Sequence, residues 1–156
     1  MQDRLLSFIT TGEGFQRQQT DGVKWWALDD WAEAGKAYNG MWPGQEFWPQ
    51  GEWRDLYAQG YRYCAFVRDG RSLAMAGLWP RSEREWEVIA VGTAPTCRSR
   101  GYAKAVVTFV TDEILSHGRS ATITTRCDNI PMLRVIDYLG FRPKDKGEQV
   151  RTEPTP

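Results

Sequence analysis

The residues best suited to chemistry lie in one segment, Thr93-Ala94-Pro95-Thr96-Cys97-Arg98-Ser99-Arg100-Gly101-Tyr102-Ala103-Lys104, which reads as a strand end, a tight turn and a helix start. A helix N-terminus carries roughly half a positive charge and normally attracts Asp or Glu. Here Arg98, Arg100 and Lys104 crowd it, and no acid follows until Asp112. An anion resolves that conflict. Free backbone N–H groups, a glycine at Gly101 where the main chain must approach closely, and flanking Arg residues together form a cradle for a phosphate or pyrophosphate. A solvated basic turn accounts for the same charges. The segment carries neither the GxxxxGK[ST] loop nor the dinucleotide GxGxxG fingerprint.

A strand must deliver the chain to this turn and a helix must leave it. The run Trp86 to Thr93 supplies the strand, and about Gly101 to His117 the helix, with Ala103, Val106, Val107, Val110 and Ile114 on one face. Ala121 to Arg126 reads as another strand. Asn129 then reads as an N-cap, with Pro131 in the first turn and Gly140 as the stop of a second helix. The strand–helix–strand unit from Trp86 to Arg126 should be parallel and right-handed. Upstream, Tyr61 to Val67 and Ser72 to Trp79 flank Arg68-Asp69-Gly70-Arg71, a strong hairpin signal. Before them, residues 1–22 read as a weak helix around Leu5, Leu6, Phe8 and Ile9 followed by a loop, and Val23 to Ala27 as a strand. Asp29 or Asp30 then caps a helix that carries Trp31, Ala34 and Tyr38 and ends at Gly40; a second helix lies near Glu52 to Gln59. The expected fold is therefore mixed α/β, of the α+β class: an antiparallel meander running into a βαβ unit, with helices on both faces of one central mixed sheet. At 156 residues it is one domain. Residues 1–22 form an N-terminal extension to it, and residues 143–156 a C-terminal strand or tail.

Two motifs in this frame resemble the GNAT N-acetyltransferase superfamily. Its acetyl-CoA loop, [QR]-x-x-G-x-[GA] after a strand, is matched by Arg98-Ser99-Arg100-Gly101-Tyr102-Ala103. Its Asn, short helix and Leu-Gly-Phe ending are matched by Asn129 through Leu139-Gly140-Phe141. The resemblance implies the GNAT fold, acetyl-CoA as co-substrate, and transfer of acetyl to a primary amine of a small molecule or peptide in a ternary complex. It implies that the strand end Val91, Gly92 and Thr93 pairs with the pantetheine arm, that Arg98, Ser99, Arg100, Gly101, Tyr102, Ala103 and Lys104 hold the pyrophosphate, and that Asn129 contacts the arm. It also implies an oxyanion donor from the strand ending at Thr93. Glu87, eleven residues before Arg98, matches the catalytic Glu of the histone acetyltransferase branch, and Glu85 is the nearby alternative. The chain departs from the pattern at the general acid. Where many members place a Tyr, seven residues after the Asn, it has Ile136; Tyr138 lies two residues on and should leave a different face of the helix. That departure keeps a second reading open, a non-catalytic acyl-CoA-binding module.

Composition narrows the remaining possibilities. Twenty basic and twenty acidic residues cancel, so no global field draws nucleic acid or an anionic membrane. No apolar run approaches the ~20 residues of a transmembrane helix. Cys64, Cys97 and Cys127 are widely spaced without a CxxC pair, and His117 is the one His, so neither a metal nor a disulfide framework is expected and a cytoplasmic setting is. Cys97 beside the loop reads as a small buried hydrophobe, and His117 as a helix-end residue. Six of the eight Trp lie between Trp25 and Trp53. Trp25, Trp26, Trp31 and Asp30 are the expected acceptor residues in that stretch, since aromatic faces with carboxylates suit a cationic amine. Packing of helices on the sheet and a homodimer interface are the other readings of the same rings.

Overall fold

The computed structural model describes residues 4–98 and 100–144. Its core is a seven-stranded mixed sheet. In chain order the strands are β1 (Leu5–Thr10), β2 (Val23–Trp25), β3 (Arg62–Arg68), β4 (Arg71–Trp79), β5 (Glu85–Thr93), β6 (Ser120–Arg126) and β7 (Arg142–Pro143). The helices are α1 (Trp31–Met41), α2 (Gln50–Ala58), α3 (Tyr102–Ser116) and α4 (Ile130–Leu139). In space the strands run β2-β3-β4-β5-β6-β1-β7. All neighbours are antiparallel except β5 and β6, the pair joined through α3. The meander and the parallel βαβ unit thus stand as expected. The β3–β4 turn places both Asp69 (φ 53) and Gly70 (φ 74) in the left-handed region, as a two-residue hairpin turn requires.

Each face of the sheet carries its own apolar layer. On one face α3 and α4 bury Val106, Val107, Val110, Ile114, Ile136 and Leu139 against Val88, Ala121 and Ile123. On the other, α1 and α2 bury Trp48, Trp53, Tyr38 and Met41 against Tyr63, Ala65 and Met75. Most of the Trp-rich segment is this second layer. Trp48 and Trp53 lie with Tyr63 at ring separations of 5.1 and 5.7 Å, and each fully buried ring contributes about 2–3 kcal/mol through loss of contact with water.

The N-terminal segment is corrected. The weak helix expected around Leu5 to Ile9 is strand β1, inserted between β6 and β7 and paired with β6 from Leu5↔Arg126 to Thr10↔Ala121. Leu5, Phe8 and Ile9 fall at helical spacing, i, i+3 and i+4, and a run this short fits either period until a partner strand decides it. At the far end Arg142–Pro143 pair with β1, and the Lys144 N–H donates to the Ser7 carbonyl at 2.9 Å; residues 145–156 of the expected C-terminal strand or tail lie outside the described residues, as does Ser99.

Two positions report on this packing measurably. Gly140 ends α4 at φ 91, and a Cβ there would sit 2.2 Å from the Gly14 carbonyl oxygen, where the loop after β1 crosses the helix end. Gly140→Ala combines a left-handed penalty with a backbone clash, so chemical denaturation should show a loss of roughly 2–4 kcal/mol; a loss below about 0.5 would contradict this contact. Cys64 is wholly enclosed, and that burial pushes its thiol pKa up. In a thiol assay on the native protein at about pH 8, Cys64 should stay silent until denaturant is added, whereas the partly exposed Cys127 should react.

Candidate active site

The chemistry-bearing segment is shaped by a defect in β5. Its register with β4 jumps from Gly77↔Ile89 to Met75↔Gly92, so Ala76 faces two residues, Ala90 and Val91. The extra residue is accommodated by Ala90 at φ 54, a conformation costly for a residue with a side chain. On its other edge β5 is paired with β6 only as far as Val88↔Ile123. Beyond that point the parallel strands diverge. The fork between them opens a small cavity of about 100 Å³ walled by Val88 to Val91, Ile123 to Thr125, Asn129 and Met132.

The fork leads into a cleft of about 630 Å³, bounded by the end of β5, the start of α3, α4 and the last turn of α1. Val91, Gly92, Thr93, Arg98, Gly101, Tyr102, Ala103, Lys104 and Asn129 all line it. Of the sequence-derived cradle, Arg100 is exposed but does not line the cleft. Gly101, at φ 83, is the N-cap of α3, and the first turn holds no acid and no side-chain cap. The leading backbone N–H groups of the helix have no helical acceptor. Tyr102 pins this helix start to the sheet: its ring stacks on Phe66 at 4.7 Å, and its hydroxyl accepts a hydrogen bond from Arg68 Nη1 at 3.1 Å. Among the described residues no carboxylate lies within ion-pair distance of Arg98, Arg100, Lys104 or Arg134. The mouth of the cleft is therefore a concentration of unneutralised positive charge. No groups of metal-ligating side chains occur among the described residues.

Asn129 serves two directions. Its Oδ1 accepts from the Met132 N–H at 3.3 Å as the cap of α4, which leaves the side-chain NH2 turned from the helix to donate elsewhere. Ile136 is buried in the core, and Tyr138, on another face of α4, is 54% exposed beneath Lys104 Nζ, 3.6 Å from its ring centroid. Cys97 is buried and borders the cleft, beside the Thr96 hydroxyl. His117 caps the end of α3, pairs with Glu113 at 2.9 Å and lies tilted against the Trp86 ring at 5.0 Å, a structural role.

Glu87 lies one residue before the fork, fully enclosed. Its Oε1 accepts from the Thr122 hydroxyl at 2.7 Å, and Arg81 Nη1 stands 3.8 Å away. Neither Glu87 nor Thr122 lines either cavity. Glu85 is tied to Lys144 at 2.7 Å and to Arg81 at 3.4 Å. Together these four groups balance their charges beneath the strand pair.

The expected acceptor residues take up other work. Trp26 is buried, Trp25 packs on Phe109 of α3 at 4.9 Å, Trp31 donates its indole N–H to the Trp48 carbonyl at 2.8 Å, and Asp30 accepts from the Ala27 N–H at 2.7 Å. None of the four lines the cleft. The Trp of that stretch that does is Trp42, just past α1, whose ring edge would come within 2.4 Å of a Cβ on Gly92. The signal for it was Gly92 itself, since a glycine within a strand marks close approach of another group.

A sequence model described as Acetyltransferase (GNAT) family matches residues 23–141. The chain belongs to the GNAT acetyltransferase family. No curated protein matches it. Among solved structures, a GNAT-family protein from Novosphingobium aromaticivorans is 26% identical, with a TM-score of 0.72 over 90% of this chain and 59% of its own. A GNAT-family acetyltransferase from Colwellia psychrerythraea is 15% identical, with a TM-score of 0.76 over 89% of this chain and 52% of its own. The chain thus spans little more than half the length of these two. A third, AAC(6')-Iy in complex with the bisubstrate analog CoA-S-monomethyl-acetylneamine, is 16% identical, with a TM-score of 0.66 over 86% of this chain and 97% of its own. The latter two likenesses establish a shared fold. No helix among the described residues is long and apolar enough to cross a membrane.

Proposed function

We propose that this GNAT domain is an acetyl-CoA-dependent N-acetyltransferase that acts on a primary amine by direct transfer in a ternary complex. The observation that carries the reading is the cleft: a forked parallel strand pair opening onto a helix N-terminus with no acid in its first turn and with unneutralised Arg98, Lys104 and Arg134 at its mouth. That charge distribution fits a pyrophosphate, and the fork offers unpaired strand N–H and C=O groups to an amide-bearing arm. The thioester supplies the activated acetyl group. Arg98 and the α3 N–H groups hold the diphosphate, the Asn129 NH2 and the Val91 to Thr93 backbone orient the arm, and a backbone N–H at the fork faces the carbonyl oxygen as it gains charge. The amine nitrogen bonds to the carbonyl carbon as the C–S bond breaks. The amine's proton passes by water and the Thr122 hydroxyl to Glu87. With Ile136 in place of a Tyr, the departing thiolate takes its proton from solvent, which a thiol with pKa about 8.5 tolerates. The similar fold was captured elsewhere with the bisubstrate analog CoA-S-monomethyl-acetylneamine, so small amines are the first class to screen.

The test is calorimetric titration with acetyl-CoA and CoA, followed by thioester cleavage assays across amine classes. Micromolar binding with amine-dependent release of CoA thiol is expected. Absence of binding by folded protein would overturn the reading; binding with no turnover on any amine would favour a non-catalytic acyl-CoA-binding module.

A further inference from the structure

Glu87 and Thr122 line neither cavity, so the side chain that meets an amine in the fork must be another. Thr124 lies two residues along β6 from Thr122 and does line the fork cavity. Side chains alternate along a strand, so the two hydroxyls share a face. Ile123 and its β1 partner Phe8 belong to the apolar layer under α3 and α4, which puts Thr124 and its partner Ser7 on the opposite face, the one that carries α1 and α2. Two residues of strand span about 6–7 Å, a gap that one bridging water closes between two hydroxyls. Ser7 holds Thr124 in place, its Oγ 2.8 Å from Thr124 Oγ1. Both residues are half-buried. Ser7 lies on β1, outside the segment 23–141 that the family model matches, so the contact comes from a part of the chain that the family pattern does not describe.

Resting on the transfer reading above, we propose that Thr124 receives the acceptor amine at the fork and opens its proton route, and that Ser7 is the residue that positions the Thr124 hydroxyl. The Ser7 O–H donates to one lone pair of Thr124 Oγ1, which leaves the other for an amine N–H and the Thr124 proton for a water on the way to Thr122. As the C–N bond forms and the C–S bond breaks, the nitrogen's proton moves to Thr124 Oγ1, the Thr124 proton to the water, a water proton to Thr122, and the Thr122 proton to Glu87 Oε1 across their 2.7 Å hydrogen bond. Every hydroxyl on the route ends with the proton count it began with, and Glu87 carries the proton that the amine lost. The pair of hydroxyls on β6 thus connects an enclosed carboxylate to a cavity it does not touch.

The experiment measures release of CoA thiol from acetyl-CoA with methylamine, spermidine and neamine as probes, beside the calorimetric Kd for acetyl-CoA and thermal unfolding. It compares the wild-type chain with Thr124→Val, Thr124→Ser, Ser7→Ala and the double variant Ser7→Ala/Thr124→Val. Thr124→Val keeps the volume but lacks the hydroxyl, so kcat/KM for the amine should fall about 10²-fold while Kd for acetyl-CoA stays within about threefold. Thr124→Ser, which restores the hydroxyl, should recover most of that loss. Ser7→Ala should cost about tenfold when Thr124 is present and nothing further on top of Thr124→Val, because there is then no hydroxyl to position. Amine turnover by folded Thr124→Val within about threefold of wild type would overturn the proposal and leave the acetyltransferase reading standing. Equal losses from Ser7→Ala in both backgrounds would overturn the positioning role of Ser7, as would full turnover by Ser7→Ala if Thr124→Val does not fold. A wild type that binds acetyl-CoA yet cleaves it with none of the three amines would overturn the small-amine reading together with this proposal, and absence of binding would remove the cofactor site as well.

Discussion

Arg98→Glu is expected to weaken coenzyme A binding by about 10²- to 10³-fold without moving the thermal midpoint. Arg98 is exposed just before the left-handed turn at Gly101, and it has no protein counter-charge among the described residues. Removing it therefore breaks nothing within the fold. A charge-assisted hydrogen bond to a phosphate is worth about 1.5–3 kcal/mol, and a carboxylate in its place adds repulsion at the same spot. Arg100→Glu makes the comparison informative. Arg100 carries the same charge nearby but does not line the cleft, so its reversal should cost less than about tenfold. Equal losses in the two variants would mean that only the general positive field attracts the ligand, and that Arg98 makes no direct contact.

The second large effect is expected at Glu87. Glu87→Gln should lower kcat by about 10²-fold and abolish the acid limb of the kcat–pH profile, because Gln cannot accept the amine's proton. The sign follows from the role. A base must have a lone pair free to take the proton, and a variant with an amide there has lost the group that acid would switch off. Loss of stability does not discriminate, since Arg81 and the Thr122 hydroxyl lose a charged partner whatever Glu87 does in catalysis. The pH profile does. An unchanged profile with lowered stability would make Glu87 a structural counter-charge to Arg81. Thr122→Val adds a finer test, because it removes the hydroxyl through which the proton is proposed to pass while keeping the volume; KM for the amine should hold while kcat falls.

Much of this architecture was legible in the residues because local signals agreed with one another. Asp69-Gly70 set the hairpin, the apolar stripe from Ala103 to Ile114 set α3, and Asn129 with Gly140 bracketed α4. The cradle could be read for the opposite reason, since its positive charges contradict what a helix start prefers. Other features were not written locally. β1 is a strand only because β6 lies beside it, and a short run such as Leu5 to Ile9 carries no preference strong enough to say so. Aromatic content alone does not separate rings that fill a core, such as Trp26 and Trp48, from one that borders a cleft, such as Trp42. The enclosure of Glu87 likewise depends on Arg81 and Thr122, contributed by the turn before β5 and by a strand 35 positions away.

The insertion of β1 beside β6 ties the timing of assembly to the cleft. The Ser7 and Thr124 hydroxyls meet at 2.8 Å across a separation of 117 positions, whereas β3, β4 and β5 pair with near neighbours in the chain. Closing so long a loop is slow and entropically costly. The meander should therefore gain its protection first, and β6, which forms one prong of the fork, should be held firmly only after β1 docks. Pulse-labelled hydrogen exchange during refolding would show amides of β3 and β4 protected before those of β1 and β6; simultaneous protection would refute that order. On this account a substitution in β1, which lines no part of the cleft, can deprive a nascent chain of a formed cleft by delaying the moment at which the second prong becomes rigid.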